Sequence, residues 1–217
     1  MPKKPTIQFD ILIMLQALFK LTRRQTVLSV DGNDEEFDRI YPRNIRRISD
    51  QHFTPLDVAK RAASFLVNRP GTRVLDVGSG AGKFCFAGAA TTDGIFTGIE
   101  QREDLVNLSN SIAQDLQTKN VRFIHANVMG IDFKAFDAFY LFNPFYENVK
   151  SRERIDDTVL VSPSLFASYS SYTKNQLSDM PEGTRLATYY TSPAFIPAGY
   201  KQLESSDAHL LFWEKYT

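Results

Sequence analysis

Between Asp76 and Gly82 the chain reads D-V-G-S-G-A-G, with glycine at three alternate positions. Such a run brings almost no side chain to a core, and each glycine loses more freedom on folding than any other residue. It is therefore worth keeping only where the backbone turns sharply or something must approach it closely. Arg73 to Val77 carries Val74, Leu75 and Val77, which predicts a short buried strand. Lys83 to Ala90 is largely apolar and predicts the start of a helix. A strand, a glycine turn and a helix in that order offer backbone N–H groups and a helix N-terminus to a polar group of a ligand. Spacing excludes three site types that share this plan. A P-loop needs glycine where Val77 stands and Ser or Thr where Phe84 stands. The dinucleotide fingerprint needs glycine in place of Lys83. A nucleophile elbow around Ser79 needs glycine in place of Val77 and Ala81.

What remains, D-x-G-x-G-x-G, resembles motif I of the Rossmann-like (class I) S-adenosylmethionine-dependent methyltransferases. The resemblance covers roughly residues 52–217. It implies S-adenosylmethionine (SAM) as cofactor, with Asp76, Gly78, Ser79, Gly80 and Gly82 at its methionine and ribose part. Gly94 to Glu100 predicts a second strand ending in an acid. A carboxylate there is placed to accept both ribose hydroxyls, and the resemblance puts Gln101 beside it. At the end of a third strand, Asn120 to Ile124, the family has Asp next to the adenine amino group. Here Asn127 stands, followed by Val128, and its carboxamide can accept the same bond. Phe53-Thr54-Pro55 resembles the segment that amino-methyltransferases acting on nucleic acid set against the methionine end of SAM. On local grounds alone it is a helix start, with Thr54 as N-cap and Pro55 at the first position.

Asn143-Pro144-Phe145-Tyr146 follows a fourth strand, Phe136 to Phe142, and resembles the N-P-P-Y signature of amino-methyltransferases, departing at the third position. In that resemblance Asn143 and Pro144 are catalytic. A planar amine is a poor nucleophile because its lone pair is delocalised, and N–H bonds accepted by the Asn143 oxygen and the Pro144 carbonyl would localise it. Tyr146 would stack on a planar substrate, and Asn143 also lies near the methyl end of the cofactor. Asn143 is no general base, so an oxygen acceptor would need help from His52 or Glu147. A strand end merely shaped by Asn and Pro is the plain alternative.

Around these residues the chain predicts the α/β methyltransferase fold: a mostly parallel central sheet with helices on both faces, closed by a C-terminal antiparallel hairpin. The expected elements are a helix from Leu56 to Val67, one from Arg102 to Leu116, one from Ser162 to about Leu177, and a fifth strand from Thr184 to Thr191. The hairpin strands are Gly199 to Leu203 and Ala208 to Tyr216. Glu147 to Val161 is polar and predicts a long loop that covers the site. One domain follows, residues 52–217 as the methyltransferase domain, with residues 1–51 as an N-terminal helical extension.

The extension is less regular. Phe9 to Phe19 is apolar apart from Asp10 and Gln16, too short to span a bilayer, and predicts a helix packed on the domain or on a twin subunit. A membrane-surface helix is the sharper alternative. Val30 to Phe37 predicts a linker, and Pro42 the first residue of a short helix. Arg39, Arg43, Arg46 and Arg47 form a stripe that could meet RNA or DNA, with Asp34, Glu35, Glu36 and Asp38 close enough to neutralise it. Lys and Arg number 25, as do Asp and Glu, so overall charge names no nucleic-acid or membrane partner. A single cysteine, Cys85, excludes an internal disulfide and fits a cytoplasmic protein. His52, His125 and His209 lie far apart, so no metal site is expected.

The function predicted is methyl transfer from SAM to an amine of a nucleic acid, a protein or a small molecule. The alternatives are an O-methyltransferase and a non-catalytic SAM- or RNA-binding module. An NAD-linked oxidoreductase is disfavoured by Lys83. An aminopropyltransferase would carry an acid where Asn143 stands.

Overall fold

A computed structural model describes residues 28–216, apart from residues 151, 153 and 206. The helix expected in the apolar run from Phe9 to Phe19, and the dimer or membrane contact expected of it, lie outside the described residues. The described chain enters through three short helices, α1 (Asp34–Phe37), α2 (Arg43–Arg46) and α3 (Ser49–His52), then a longer one, α4 (Leu56–Leu66). There follow β1 (Arg73–Val77), α5 (Lys83–Thr91), β2 (Ile95–Glu100), α6 (Glu103–Asp115), β3 (Val121–His125) and β4 (Ala138–Phe142). The chain closes with α7 (Pro163–Ser178), β5 (Arg185–Tyr189), β6 (Tyr200–Leu203) and β7 (Leu210–Lys215).

The seven strands form one sheet in the order β3-β2-β1-β4-β5-β7-β6. The first five run parallel, and β7 pairs antiparallel with both β5 and β6. This is the fold the sequence predicts. Successive strand residues face opposite sides, and each side has its own core. Val74, Ala138 and Tyr140 face a layer that includes α4, α5 and α6. Leu75, Val77, Phe139 and Leu141 face the other, with Tyr169 and Leu177 of α7. Strands buried on both faces read as continuous apolar runs, which is why β1 and β4 stand out in the sequence. Chain order reverses at β1, which lies between β2 and β4, and open sheets of this kind bind ligands at such a point. Val77 pairs with both Ile99 and Leu141, so Gly78, Glu100 and Asn143 leave the sheet at one edge.

Several local expectations need correction. Val30 to Phe37 is not all linker. Asn33 caps α1 by accepting the Glu36 N–H at 3.0 Å, and Phe37 is fully buried in the first core. Pro42 sits one place before α2, in extended geometry. Phe136 lies outside β4, because Asp132 caps a 3-10 turn over Phe133–Ala135 that delays the strand. Pro55, not Thr54, occupies the N-cap of α4, and the Leu56 N–H donates to Asp34 Oδ1 at 2.9 Å.

Asp34 does a second job. Lys83, at the first position of α5, is 2% exposed and reaches Asp34 Oδ1 at 2.5 Å and Asp38 Oδ1 at 2.7 Å, with Ser49 Oγ at 3.2 Å. A buried ammonium needs such partners. Two of the acids expected to neutralise the arginine stripe therefore serve Lys83. Arg39, Arg43, Arg46 and Arg47 are exposed, with no ion pair among the described residues.

Candidate active site

The glycine turn is built for shape rather than for donors. Gly78, Gly80 and Gly82 have φ of 80°, 54° and 82°, the left-handed region where a Cβ is penalised. The N–H groups of Gly78 and Ser79 donate to the Ile99 carbonyl at 3.0 and 2.9 Å, and that of Gly82 donates to Ser79 O at 2.8 Å. The Gly80 N–H donates to Glu100 Oε2 at 3.1 Å. The N–H groups expected to face a ligand are thus turned inward, onto β2 and the turn itself. An anion would find few donors here and two carboxylates, Asp76 and Glu100, close by. That disfavours a pyrophosphate and suits a ligand with hydroxyls and positive charge.

Asp76 lies beneath the turn, 4% exposed, on the α5 side of the sheet. Burial pushes its carboxyl up to about 7; the Cys85 thiol, with Sγ 3.5 Å from Oδ2, acts the other way, and the charge of Glu100 adds to the rise. Glu100 is also buried. Its Oε1 accepts the N–H groups of Gln101 and Arg102 at 2.8 and 3.0 Å, so backbone bonds fix the carboxylate.

Above the turn lies a cavity of about 870 Å³, lined among others by Gly78, Gly80, Glu100, Gln101, Asn143 and Tyr190. Pockets for single small ligands run from about 300 to 1,000 Å³, so there is room for a cofactor and part of an acceptor. One observation fits a cofactor seated against the turn: a Cβ added at Gly78 would meet no atom within 4 Å, so it would project into open space. Ser79 Oγ is buried without a hydrogen-bond partner among the described residues, but it packs on Gly98 of β2, 2.6 Å from where a Cβ there would sit.

Phe53, Pro144, Tyr146 and Val128 also line the cavity. Thr54, Asp76, Ser79, Gly82 and Asn127 are not on its lining, and each has another setting. Thr54 Oγ1 bonds the Tyr140 hydroxyl at 2.9 Å in the core, while Phe53 packs over the turn, 3.0 Å from where a Gly80 Cβ would sit. Asn127 accepts the Met129 N–H at 2.9 Å and donates to Tyr169 Oη at 2.8 Å and Gln101 Oε1 at 3.1 Å. The second oxygen lone pair of its carboxamide stays available.

The end of the cavity around Asn143 holds three strained residues. Asn143, Phe145 and Tyr190 have φ of 36°, 68° and 50°. The Asn143 N–H is shared by Tyr189 O and Thr191 Oγ1, both at 3.0 Å. Its carboxamide has no hydrogen bond among the described residues, nor has the Pro144 carbonyl.

Two features escape the sequence reading. Arg102 is 6% exposed and ties the covering loop to the end of β2, donating to Glu147 Oε2 at 2.5 Å and Asp156 Oδ1 at 3.0 Å. Burial alone would lower its pKa, but the bond it donates to Glu147 and the charges of the other acids hold it above the ordinary value. The loop does cover the site, through Ile155, Val159 and Leu160. The acids Glu147 and Asp156, together with an arginine two residues after the strand-end acid, were the available signal. The second feature is Tyr190, which nothing in its neighbourhood marks.

A family model described as a methyltransferase domain matches residues 68–186, more than half of the chain. The chain belongs to this family, the S-adenosylmethionine-dependent methyltransferases, and SAM is its cofactor. No curated protein matches it by sequence. Among solved structures it is similar to TrmN from Thermus thermophilus, with a TM-score of 0.54 and 20% identity. That likeness covers 75% of this chain but 49% of TrmN, so this chain spans about half of that one. It is similar to an RNA methyltransferase from Salinibacter ruber in complex with S-adenosyl-L-homocysteine, with a TM-score of 0.52, 19% identity, and 75% and 93% of the two chains covered. An O-methyltransferase from Thermotoga maritima gives 0.51, 16%, and 81% and 72%. At these identities the likeness is one of fold. Among the described residues no helix is long and apolar enough to cross a membrane.

Proposed function

We propose that the protein methylates a nitrogen of an amine acceptor. The observation that carries this reading is the Asn143 carboxamide, partly buried at the end of β4 on the wall of the cavity and unpartnered among the described residues. The Pro144 carbonyl beside it is likewise unbonded there. Two oxygens that accept an amine's N–H bonds hold its lone pair out of conjugation and aim it in one direction. SAM, when bound, supplies a methyl group on a positively charged sulfur. The chain's own task is then to position: Gly78, Gly80, Glu100, Gln101, Phe53 and Val128, which line the cavity, hold the cofactor, and Asn143 and Pro144 orient the acceptor. A hydroxyl acceptor would need a general base. Glu147 is poorly suited, since its Oε2 accepts from Arg102 and its Oε1 from the Ile155 N–H at 3.1 Å.

The test starts with labelled SAM and a screen over nucleic acids, proteins and small amines. With an acceptor in hand, Asn143→Ala should lower kcat by about 10²-fold or more, as when other preorganised polar groups are lost. Calorimetry should find its affinity for S-adenosylhomocysteine nearly unchanged. Asn143→Asp should tighten SAM binding yet slow transfer, because its charge stabilises the sulfonium before the methyl moves. Full activity in Asn143→Ala would overturn the nitrogen reading.

A further inference from the structure

Lys83 is a charge in an unfavourable place. It opens α5, and an ammonium at a helix N-terminus meets the positive end of the peptide dipoles. It is also buried, which strips its hydration. An apolar side chain of like length would fill the same space without either cost and would continue the apolar start of the helix. The ammonium therefore answers to something other than the packing of α5.

What it holds is one wall of the cavity. Asp50, Gln51, His52 and Phe53 line the cavity and lie between two anchors, Ser49 and Leu56. Ser49, itself buried, accepts a hydrogen bond from Lys83 Nζ at 3.2 Å. At the other end the Leu56 N–H donates to Asp34 Oδ1 at 2.9 Å, and that same oxygen faces Lys83 Nζ at 2.5 Å. Both ends of the stretch thus converge on a single nitrogen. Asp38 Oδ1, 2.7 Å from Nζ, adds a third hold. The Asp38 carbonyl accepts the Tyr41 N–H at 2.9 Å, and the Tyr41 ring packs 5.9 Å from that of Phe53. Lys83 directly follows Gly82, so its stem starts from the glycine turn. One side chain sets the wall in register with the turn, and Phe53 lies over Gly80. Charge-assisted contacts are directional, so they fix the wall's position where apolar packing alone would leave it adjustable.

We infer that Lys83 is a positioning residue for cofactor binding: its ammonium clamps the stretch from Ser49 to Leu56 at both ends and so holds Phe53 over the glycine turn. This rests on the reading of Phe53 as part of the cofactor's seat. Lys83 is not on the lining of the cavity, so it acts through the wall. Its contribution to affinity should therefore vanish once the Phe53 ring is gone. An ion pair that only stabilised the fold would show no such dependence on Phe53.

The test is a double-mutant cycle between the clamp and the ring, with S-adenosylhomocysteine binding read by calorimetry. Lys83→Met alone would leave Asp38 buried without a counter-charge, so it is combined with Asp38→Asn, which removes both buried charges. Phe53→Ala should weaken binding by roughly tenfold, the worth of part of one buried aromatic side chain. The Lys83→Met/Asp38→Asn variant should weaken it to a similar degree, and adding Phe53→Ala to that variant should weaken it no further. Asp34→Asn keeps an oxygen for the Leu56 N–H and removes only the charge; it should act in the same direction with a smaller effect. Amide exchange at Phe53 and Leu56 should quicken in the Lys83→Met/Asp38→Asn variant, and more than at the amides of β1. Wild-type affinity in that variant, beside a weakened Phe53→Ala, would overturn the inference. So would losses that multiply when the changes are combined, or unchanged exchange at Phe53 and Leu56. Failure of the cofactor reading of Phe53 looks different: Phe53→Ala would then bind as wild type does, and the inference would fall with it.

Discussion

The two halves of the cavity use the same backbone conformation with opposite choices of residue. On the cofactor side, left-handed φ falls on Gly78, Gly80 and Gly82, where it is nearly free of strain. On the Asn143 side it falls on Asn143, Phe145 and Tyr190, each with a side chain to accommodate. Polar satisfaction divides the same way. Glu100 is already held by the N–H groups of Gly80, Gln101 and Arg102 with acceptor capacity to spare, whereas the Asn143 carboxamide has no partner among the described residues. The glycine half is a finished mould, and the Asn143 half carries its strain on residues whose side chains line the cavity.

The largest effect should come from spoiling the mould. A Cβ at Gly82 would sit 2.4 Å from the Phe123 ring and hold φ of 82°. Overpacking and left-handed strain together predict that Gly82→Ala costs about 2–4 kcal/mol. For a chain of this size that is a fall of roughly 5–15 °C in Tm. A calorimetric scan within 2 °C or so of wild type would show that the turn is looser than its geometry implies. Next in size is Glu100→Ala. On the reading that Glu100 accepts the ribose hydroxyls, the change removes a charge-assisted contact of about 1.5–3 kcal/mol and should weaken S-adenosylhomocysteine by roughly ten- to a hundredfold. Unchanged affinity in the folded variant would mean that Glu100 only braces the turn.

The contrast also explains what the sequence discloses. Glycine at alternate positions and an acid at a strand end are visible because the mould is made by residue types that are rare there for other reasons. The buried runs of β1 and β4 gave the sheet for a similar cause. Tyr190 could not be seen, because a tyrosine after a strand has no local mark, and its strain exists only in three dimensions. Nor could the direction of the turn's N–H groups, since Gly78 and Ser79 bond the Ile99 carbonyl of a different strand. The double duty of Asp34, on Leu56 and on Lys83, was hidden for the same reason: residues far apart in the chain decide it.

The smallest effect is the most discriminating. Asn143→Gly should leave stability unchanged or raise it by up to about 1 kcal/mol, as strain at φ of 36° is relieved. Its turnover should fall as in Asn143→Ala. Urea titration that shows a clear loss of stability would make Asn143 a structural residue and erase the distinction between the halves.

The ion cluster at Lys83 carries a consequence for the order of events as the chain is made. Asp34, Asp38 and Ser49 are synthesised before the glycine turn, yet the charge that their oxygens surround belongs to the first residue of the helix after it. Until that helix exists, the early segment has no buried cation to hold and α4 lacks the carboxylate fixed at its start. Contacts of such long sequence separation slow folding. The segment that leaves the ribosome early is therefore expected to settle only after the helix that follows the turn, and with it the wall that Phe53 adds to the cavity.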